Sequence, residues 1–292
     1  MTTTTPTLFY PDVSNHQDPP GPVPPVSVKG ALAVCAKATE GVTFTDPDYT
    51  TFKAEASGAG VFFFAYHFLR HGFADAQAEH CFAVTGPDTG LMVDIEETGT
   101  SQPGIADAAA FTDRYRQLGG RCWLAYLPHW YWQKIGSPSL QPLIQRGMLL
   151  VSSNYPAGGY SGNGPGWAPY GGMTPTIWQY TPSQAFNGQK VDFNAYKGTV
   201  AQLKSLVLTG KLPPAGPFKH VVPAGNELSL HSVALARNTT VQHISEVTHA
   251  NATRPKVAVF DAYVALCTAL HLDGGLPAAA MPEGLQYWTT NP

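Results

Sequence analysis

The chain has 292 residues, of which 43% are hydrophobic and 13% charged, and its formal net charge is −3 at pH 7. This composition is typical of a folded globular protein with room for one large domain and a smaller companion, or for two medium ones. It excludes a basic nucleic-acid-binding surface, and the longest apolar runs, such as residues 61–66, are too short to cross a membrane, so we expect no membrane insertion.

Short apolar runs alternate with stretches of helical spacing from residue 8 to about 208, which is typical of βα units around a parallel sheet. The predicted strands are residues 8–10, 31–37, 61–68, 91–95, 122–127, 148–152 and 176–180. The predicted helices are residues 49–57, 74–84, 105–118 and 199–208. Residues 137–144 have the pattern of neither a strand nor a helix.

A proline- and glycine-rich segment follows the last predicted helix. Residues 209–218, TGKLPPAGPF, have the composition of a linker. We therefore divide the chain into a βα domain (1–208), a linker (209–218) and a small carboxyl-terminal module (219–292). The small module contains one helical stretch, residues 257–270, and does not repeat the βα rhythm.

The amino terminus and the cysteines bear on the cellular compartment. The first residues, MTTTTPTLFYPD, lack the basic segment and apolar run of a secretory signal peptide, so we expect synthesis in the cytosol. The cysteines have neither CxxC nor Cys/His metal spacing, and we expect most of them to be buried thiols. They are Cys35, Cys81, Cys122 and Cys267.

Polar and aromatic side chains follow the predicted strands at equivalent positions. In a barrel of parallel strands, such positions converge on the carboxyl-terminal face, where ligands bind. The sequence therefore predicts a pocket rich in carboxylates and aromatic rings. Its candidate residues are Asp12, Lys37, Glu40, Tyr66, His67, Asp94, Glu96, Tyr126 and residues 178–180. For His67, a role as a hydrogen-bonded core residue is slightly favoured over ligand binding.

Two of these carboxylates belong to one short motif. Asp94 and Glu96 are two residues apart, so on a strand both side chains point to the same side. Crowded carboxylates do not ionise together readily, which can leave one protonated as a general acid while the other stays charged. Glycoside hydrolysis requires such a pair. A D-x-E motif is otherwise most often a solvated strand end, but the apolar residues 91–93 before it indicate a buried strand.

Aromatic residues are dense around the same positions, and a sugar ring can stack its C–H face on an aromatic ring. About half of them are expected to fill the core instead. They are Tyr66, Trp123, Tyr126, Trp130, Tyr131, Trp132, Tyr155, Tyr160, Trp167, Trp178 and Tyr180. GxSxG, HExxH, P-loop and GxGxxG motifs are all absent, which weakens serine hydrolase, zinc peptidase and nucleotide-binding hypotheses.

Six short blocks in this order resemble glycoside hydrolase family 25, the N-acetylmuramidase lysozymes, over roughly residues 8–207. The blocks are DVSNHQ (12–17), KATEG (37–41), AYHF (65–68), VDIE (93–96), WQYT (178–181) and VDFN (191–194). The resemblance implies an irregular, flattened β/α barrel that cleaves the β-1,4 bond between N-acetylmuramic acid and N-acetylglucosamine in peptidoglycan. It implies no metal and no cofactor.

The resemblance also implies roles for individual residues. Glu96 is similar to the general acid of the family and Asp94 to its partner carboxylate, with Asp12 and Asp192 as further acids in the cleft. The implied substrate-binding residues are Asp12, Asp192, Tyr66, Tyr126, Trp178 and Lys37. Whether the second step uses an enzyme carboxylate or the acetamido group of the substrate stays open. The chain departs from the family pattern at residues 149–155, LLVSSNY, where the family often has a W-x-A-x-Y type segment.

The tail resembles LysM repeats, which bind N-acetylglucosamine-containing glycans, at residues 220–229 (HVVPAGNELS), although NEL stands in place of the usual DTL. A catalytic barrel with a wall-binding tail and no signal peptide resembles a bacteriophage endolysin. Such an enzyme is made in the host cytoplasm and acts on the bacterial cell wall once the membrane is permeabilised. The alternative for the tail is a packing or oligomerisation segment without a ligand.

Two alternatives to a muramidase stay open. The first is a non-catalytic protein that binds cell-wall glycans, although a binding protein has no need for two crowded carboxylates. The second is another barrel glycosidase, such as a chitinase, although the D-x-x-D-x-D-x-E run of those enzymes is absent.

Overall fold

The computed structural model describes residues 6–17 and 25–212. Its strands are β1 (Thr7–Val13), β2 (Ala33–Glu40), β3 (Phe44–Thr45), β4 (Phe62–Phe68), β5 (Gly90–Asp94), β6 (Arg121–Tyr126), β7 (Leu149–Ser153), β8 (Ile177–Phe186) and β9 (Gln189–Lys197). Its helices are α1 (Tyr49–Ala59), α2 (Ala74–Thr85), α3 (Ile105–Gln117), α4 (His129–Lys134), α5 (Gln141–Ile144) and α6 (Val200–Thr209). The predicted small module, including residues 257–270, lies outside the described residues, as does most of the predicted linker.

Eight strands close into a barrel. From β1 the order around it is β2, β4, β5, β6, β7, β8 and β9, and β9 pairs with β1 to complete the circle. All neighbours are parallel except β9, which runs antiparallel to both β8 and β1. The short β3 adds to the edge of β2 beyond the barrel wall. This architecture confirms the predicted irregular β/α barrel.

Successive side chains on each strand point alternately into and out of the barrel, which creates two apolar layers, one inside the barrel and one outside. Inward side chains such as Tyr10, Cys35, Phe64 and Met92 form the inner core. The intervening residues pack outward against α1, α2 and α3, and Val93 and Ile95 belong to that outer layer. Because both faces of the parallel strands are covered, these strands appear in the sequence as nearly continuous hydrophobic runs.

All the strands and helices predicted for residues 8–208 occur in the structure with small shifts of most of their ends, whereas β3, α4, α5 and β9 are absent from the prediction. The strand β9 is absent from the prediction because its sequence, QKVDFNAYK, mixes charged, amide and apolar residues. Cross-strand pairing with β8 and β1 forms this strand, whose side chains alternate between the inside and the outside of the barrel. The strand β8 also extends to Phe186, six residues beyond its predicted end, as one arm of an exposed hairpin.

The last described helix, α6, packs against the amino-terminal ends of the central strands. Its residues Leu203, Leu206 and Val207 join the inner core. At the start of β5, a Cβ atom added to Gly90 would lie 2.2 Å from Cγ1 of Val207, so only glycine permits this approach. Within residues 6–17 and 25–212, no helix has the length and hydrophobicity needed to cross a membrane.

Candidate active site

A cleft with a volume of about 250 Å³ opens at the carboxyl-terminal ends of the barrel strands. Side chains from most strands and from the loops after them line it. They are Asp12, Ser14, His16, Lys37, Glu40, Tyr66, Phe68, Met92, Asp94, Glu96, Thr98, Tyr126, Tyr155, Gln179 and Asp192. Of the candidate residues taken from the strand ends, His67, Trp178 and Tyr180 do not line it.

The D-x-E motif adopts the geometry predicted from its spacing. Asp94 ends β5, and the backbone continues in line because the N–H of Ile95 donates to the carbonyl of Tyr126 at 2.8 Å. Ile95 is fully buried in the outer core, so the side chains on either side of it, Asp94 and Glu96, both face the cleft. Asp94 is 5% exposed, and its Oδ1 has no hydrogen-bond partner among the described residues.

Two further acids face each other across the closure of the barrel. Asp12 on β1 lies directly opposite Asp192 on β9 in the antiparallel register. Like charges at opposed positions destabilise a sheet, so this pairing disfavours ionisation of both groups. Burial first, and then the charge of Asp192, raises the pKa of Asp12 well above its ordinary value.

Burial, together with repulsion between most of them, raises the pKa of the four acids in the cleft. Burial, and next the charge of Asp192, raises the pKa of Glu96 to about 7. Burial raises the pKa of Asp192 to about 6. Burial, followed by the charges of Glu96 and Asp12, raises the pKa of Asp94 well above its usual range. The cleft therefore holds carboxyl groups in both protonation states near neutral pH, as acid–base chemistry requires.

Gln179 on β8, one of the candidates at 178–180, lines the cleft, although the family resemblance assigned the substrate contact of this block to Trp178. The Oε1 atom of Gln179 accepts hydrogen bonds from the hydroxyls of Tyr126, at 2.8 Å, and Tyr155. With the oxygen occupied, its Nε2 is free to donate to the carboxylate of Asp12, an interaction that works to lower the pKa of that acid. Because Gln179 and Trp178 are adjacent on β8, their side chains point to opposite faces of the sheet, and it is Gln179 that faces the cleft.

The structure corrects the prediction that Trp178 contacts the substrate. Its side chain points away from the cleft and has no exposed surface. The indole Nε1 donates to the carbonyl of Asn154 at 2.8 Å, and the ring packs edge to face with Trp167. A Cβ atom added to Gly166 would lie 2.1 Å from the indole nitrogen, so the loop backbone covers the ring directly. Trp178 thus anchors the loop between β7 and β8.

The remaining predicted contacts lie in the cleft wall. Tyr66 and Tyr126 both line it, and burial is the main cause that raises their pKa well above the usual value, so both phenols stay protonated. Lys37 lines the cleft from β2 with only 2% of its surface exposed.

His67 and three cysteines lie in the structural core. The His67 ring bonds to the hydroxyl of Thr39 at 2.8 Å and to Oε1 of Gln77 at 3.1 Å, and burial lowers its pKa to about 3. This environment supports the core role of His67. Cys35, Cys81 and Cys122 are buried free thiols, as expected, and Cys267 lies outside the described residues. No group of three or more His, Cys, Asp or Glu side chains in the described ranges is arranged to hold a metal ion.

Comparison with known proteins identifies the family to which this barrel belongs. The family model described as "Glycosyl hydrolases family 25" matches residues 11–189, which is more than half of the chain and spans β1 to the start of β9. The chain belongs to glycosyl hydrolases family 25. This family 25 protein is therefore a glycoside hydrolase, as the D-x-E motif and the six sequence blocks predicted.

Individual relatives agree with this assignment. The N,O-diacetylmuramidase of Chalaropsis sp is 28% identical over 220 residues, which cover 67% of this chain and 96% of that protein. The muramidase of Trichobolus zukalii matches with a TM-score of 0.54 at 28% identity, covering 68% of this chain and 98% of that one. The lysozyme of Streptomyces coelicolor has the same fold, with a TM-score of 0.56 at 21% identity over 70% of this chain and 98% of that one.

Proposed function

We propose that this family 25 hydrolase is a lysozyme-type muramidase that cleaves the β-1,4 bond between N-acetylmuramic acid and N-acetylglucosamine in peptidoglycan. The observation that carries the proposal is the pair Asp94 and Glu96, which line the cleft among further acids. Asp94 is buried and Glu96 is half-buried, with a pKa of about 7 for Glu96. The resemblance of the chain to a diacetylmuramidase and a muramidase supports this choice of bond.

In the proposed reaction, Glu96 is the general acid. Its pKa of about 7 keeps much of it protonated at neutral and slightly acidic pH, so it can give its proton to the glycosidic oxygen as the bond breaks. Loss of the leaving sugar places positive charge on the ring, and a nearby carboxylate stabilises that charge. After the first step Glu96 is ionised and accepts a proton from the water that completes hydrolysis.

Asp94 is the partner carboxylate in this scheme. Its Oδ1 has no hydrogen-bond partner among the described residues, so it is a buried acceptor available to a donor on the substrate. The acetamido N–H of an N-acetyl sugar is such a donor. Asp94 can therefore stabilise the cationic transition state directly or orient the acetamido group for attack on the anomeric carbon.

The test is a digest of purified peptidoglycan with wild type and with Glu96→Gln. The new reducing ends are reduced with borohydride, and the reduced sugar is identified by mass spectrometry. We expect reduced N-acetylmuramic acid from wild type and a loss of at least 100-fold in rate for Glu96→Gln, because removal of a general acid typically costs 10²–10⁴-fold. The neighbouring variant Glu97→Gln is the matched control, because Glu97 is hydrogen-bonded to Lys134 at the surface.

Each other result assigns a different function. Reduced N-acetylglucosamine ends would make the enzyme a glucosaminidase, and near wild-type turnover by Glu96→Gln would remove that residue from the mechanism. Turnover of chitin in preference to peptidoglycan would indicate a chitinase. A lack of new ends on a competent substrate would leave a non-catalytic protein that binds the glycan.

We further propose that the enzyme is a bacteriophage endolysin, made in the host cytoplasm and active on the bacterial wall, and that residues 219–292 bind that wall. The support is the LysM-like segment 220–229 together with a family that hydrolyses glycosides. The net charge of −3 gives little electrostatic attraction to an anionic wall, so specific contacts outside the cleft are needed to hold the enzyme there.

A further inference from the structure

Lys37 is held in a fixed position inside the cleft. Its Nζ lies 2.5 Å from Oε2 of Glu40 and is 5.4 Å from the ring centroid of Phe44 and 4.9 Å from that of Phe68. With 2% of its surface exposed, the side chain is buried along its whole length. A carboxylate and two aromatic faces therefore already engage the ammonium group, which limits its freedom to follow a ligand.

Glu40 is in turn held by a second cation. One carboxylate oxygen of Glu40 accepts from Lys37 and the other from the guanidinium of Arg70. Burial works to raise the pKa of Glu40, but the hydrogen bonds and charges of Lys37 and Arg70 outweigh it and lower the pKa. Arg70 also donates to the carbonyl of Thr98 at 3.1 Å, in the loop that follows β5 and contains Glu96. The chain of contacts thus joins the ends of β2, β4 and β5.

We propose that Lys37 is a positioning residue for the Asp94/Glu96 pair: it acts on the ionisation of the pair through its charge, and Glu40 and Arg70 hold that charge in place. The catalytic role of Lys37 in this inference rests on the proposed function. The effect of its charge on the ionisation of Asp94 and Glu96 is independent of that function. It changes the predicted role of Lys37, which was direct contact with the substrate.

The charges around the pair explain why one lysine has this effect. The other acids that line the cleft are Asp12, Glu40 and Asp192. The phenols are Tyr66, Tyr126 and Tyr155, and the only other base is His16. Burial and acidic neighbours raise the pKa of Asp94 and of Glu96, whereas the charge of Lys37 works to lower both. Lys37 is the only lysine or arginine among the described residues that line the cleft.

The experiment compares Lys37→Met, Glu40→Gln and the double variant with wild type. The Glu96 carboxyl is titrated by carbon NMR on protein labelled at glutamate, and the pH dependence of kcat and of kcat/KM is recorded in parallel. Methionine keeps most of the aliphatic volume of lysine and removes the charge, and glutamine does the same for Glu40.

We expect opposite shifts from the two single variants. Loss of the cation in Lys37→Met raises the pKa of Glu96 and moves the pH–rate profile to higher pH, by about 0.5–1 unit for one nearby charge. Loss of the anion in Glu40→Gln leaves the ammonium unpaired, lowers the pKa of Glu96 and moves the profile to lower pH. The double variant, in which both charges are absent, falls between the two single variants.

Three results would overturn the proposal. An unchanged titration in both single variants would leave Lys37 a structural residue, and a raised KM with an unchanged titration would make it a substrate contact. Shifts of both singles in the same direction would indicate a rearranged cleft. If Lys37→Met does not fold, the direction in which Glu40→Gln shifts the pKa of Glu96 still tests the proposal. Because NMR titration needs no turnover, opposite shifts in a protein that releases no muramic acid ends would support this proposal and remove the proposed function.

Discussion

At the scale of single residues, the acids of the cleft lower the stability of the folded protein. Glu96, Asp192, Asp94 and Asp12 all have a raised pKa, and for each the first cause is burial. A carboxyl group with a raised pKa keeps its proton to a higher pH in the folded chain than in the unfolded chain, so its ionisation favours unfolding. The groups that give the site its acid–base capacity are thus the groups that weaken the fold as pH rises.

Glu96→Gln should therefore stabilise the protein at neutral and alkaline pH. The folded pKa of about 7 exceeds the ordinary 4.5, so the stability of wild type falls as pH rises from about 4.5 to 7 and stays low above that window. Glutamine removes this loss, and we expect a gain on the order of 2 kcal/mol at pH 8 and almost none at pH 4. Chemical denaturation at both pH values measures it.

The neighbouring Glu97→Gln controls for a general effect of charge removal. The hydrogen bond from Lys134 is the main cause that lowers the pKa of Glu97. Ionised Glu97 therefore stabilises the folded chain at every pH above the pKa that Glu97 has in the unfolded chain. This variant should give no gain as pH rises. An equal gain in both variants, or none for Glu96→Gln at pH 8, would contradict the burial argument.

At the scale of elements, the packing of α6 against β5 depends on one glycine. A methyl group at Gly90 would have its carbon 2.2 Å from Cγ1 of Val207, which is far inside van der Waals contact. Backbone atoms of Val207 lie close as well, so a change of rotamer cannot relieve the contact. Helix and strand approach closely here because the strand contributes no side chain between the two backbones.

Gly90→Ala should lower the free energy of unfolding by about 1–3 kcal/mol, as overpacking in a well-packed core does. Gly58→Ala is the matched control, because Gly58 lies within α1 with open space where a Cβ would be. There alanine should raise stability by about 0.5–1 kcal/mol. Urea denaturation of both variants gives the comparison, and equal stability of the two would show that α6 does not dock as described.

At the scale of the whole molecule, the barrel contains its own cores and its own cleft. The inner and outer apolar layers, the four acids and the closing helix α6 all lie within residues 6–17 and 25–212. The cleft described above is lined by residues between Asp12 and Asp192. Hydrolysis of a soluble glycan fragment should then depend on the barrel, and retention on an intact wall on the residues that follow.

Expression inside a bacterium with a susceptible wall tests this division. We expect cells making the full chain to stay intact until their membrane is permeabilised and then to lyse. A chain that ends at Leu212 should keep its rate on soluble fragments and lyse permeabilised cells several-fold more slowly. The Glu96→Gln chain should not lyse them. Lysis without permeabilisation would argue against a protein retained in the cytosol, and full lytic rate in the shortened chain would argue against a wall-binding tail.

The sequence alone determined all the barrel strands except β9, the main helices and the face shared by Asp94 and Glu96. These features depend on neighbours along the chain, where hydrophobic runs, glycine caps and a two-residue period are visible directly. Asp12 and Asp192 could also be named from the motif blocks in which they occur. Their direct opposition across β1 and β9 could not, because it depends on the register of two strands far apart in the chain.

Only the tertiary structure decided which face of each strand forms the cleft and which partners a side chain finds there. On β8 it directs Gln179 inward and buries Trp178 beneath a loop, although both residues belong to the same short motif. For Lys37 it supplies the carboxylate and rings that hold the ammonium group. Barrel closure brings these groups together across large sequence separations, and a local pattern carries no information about contacts of that kind.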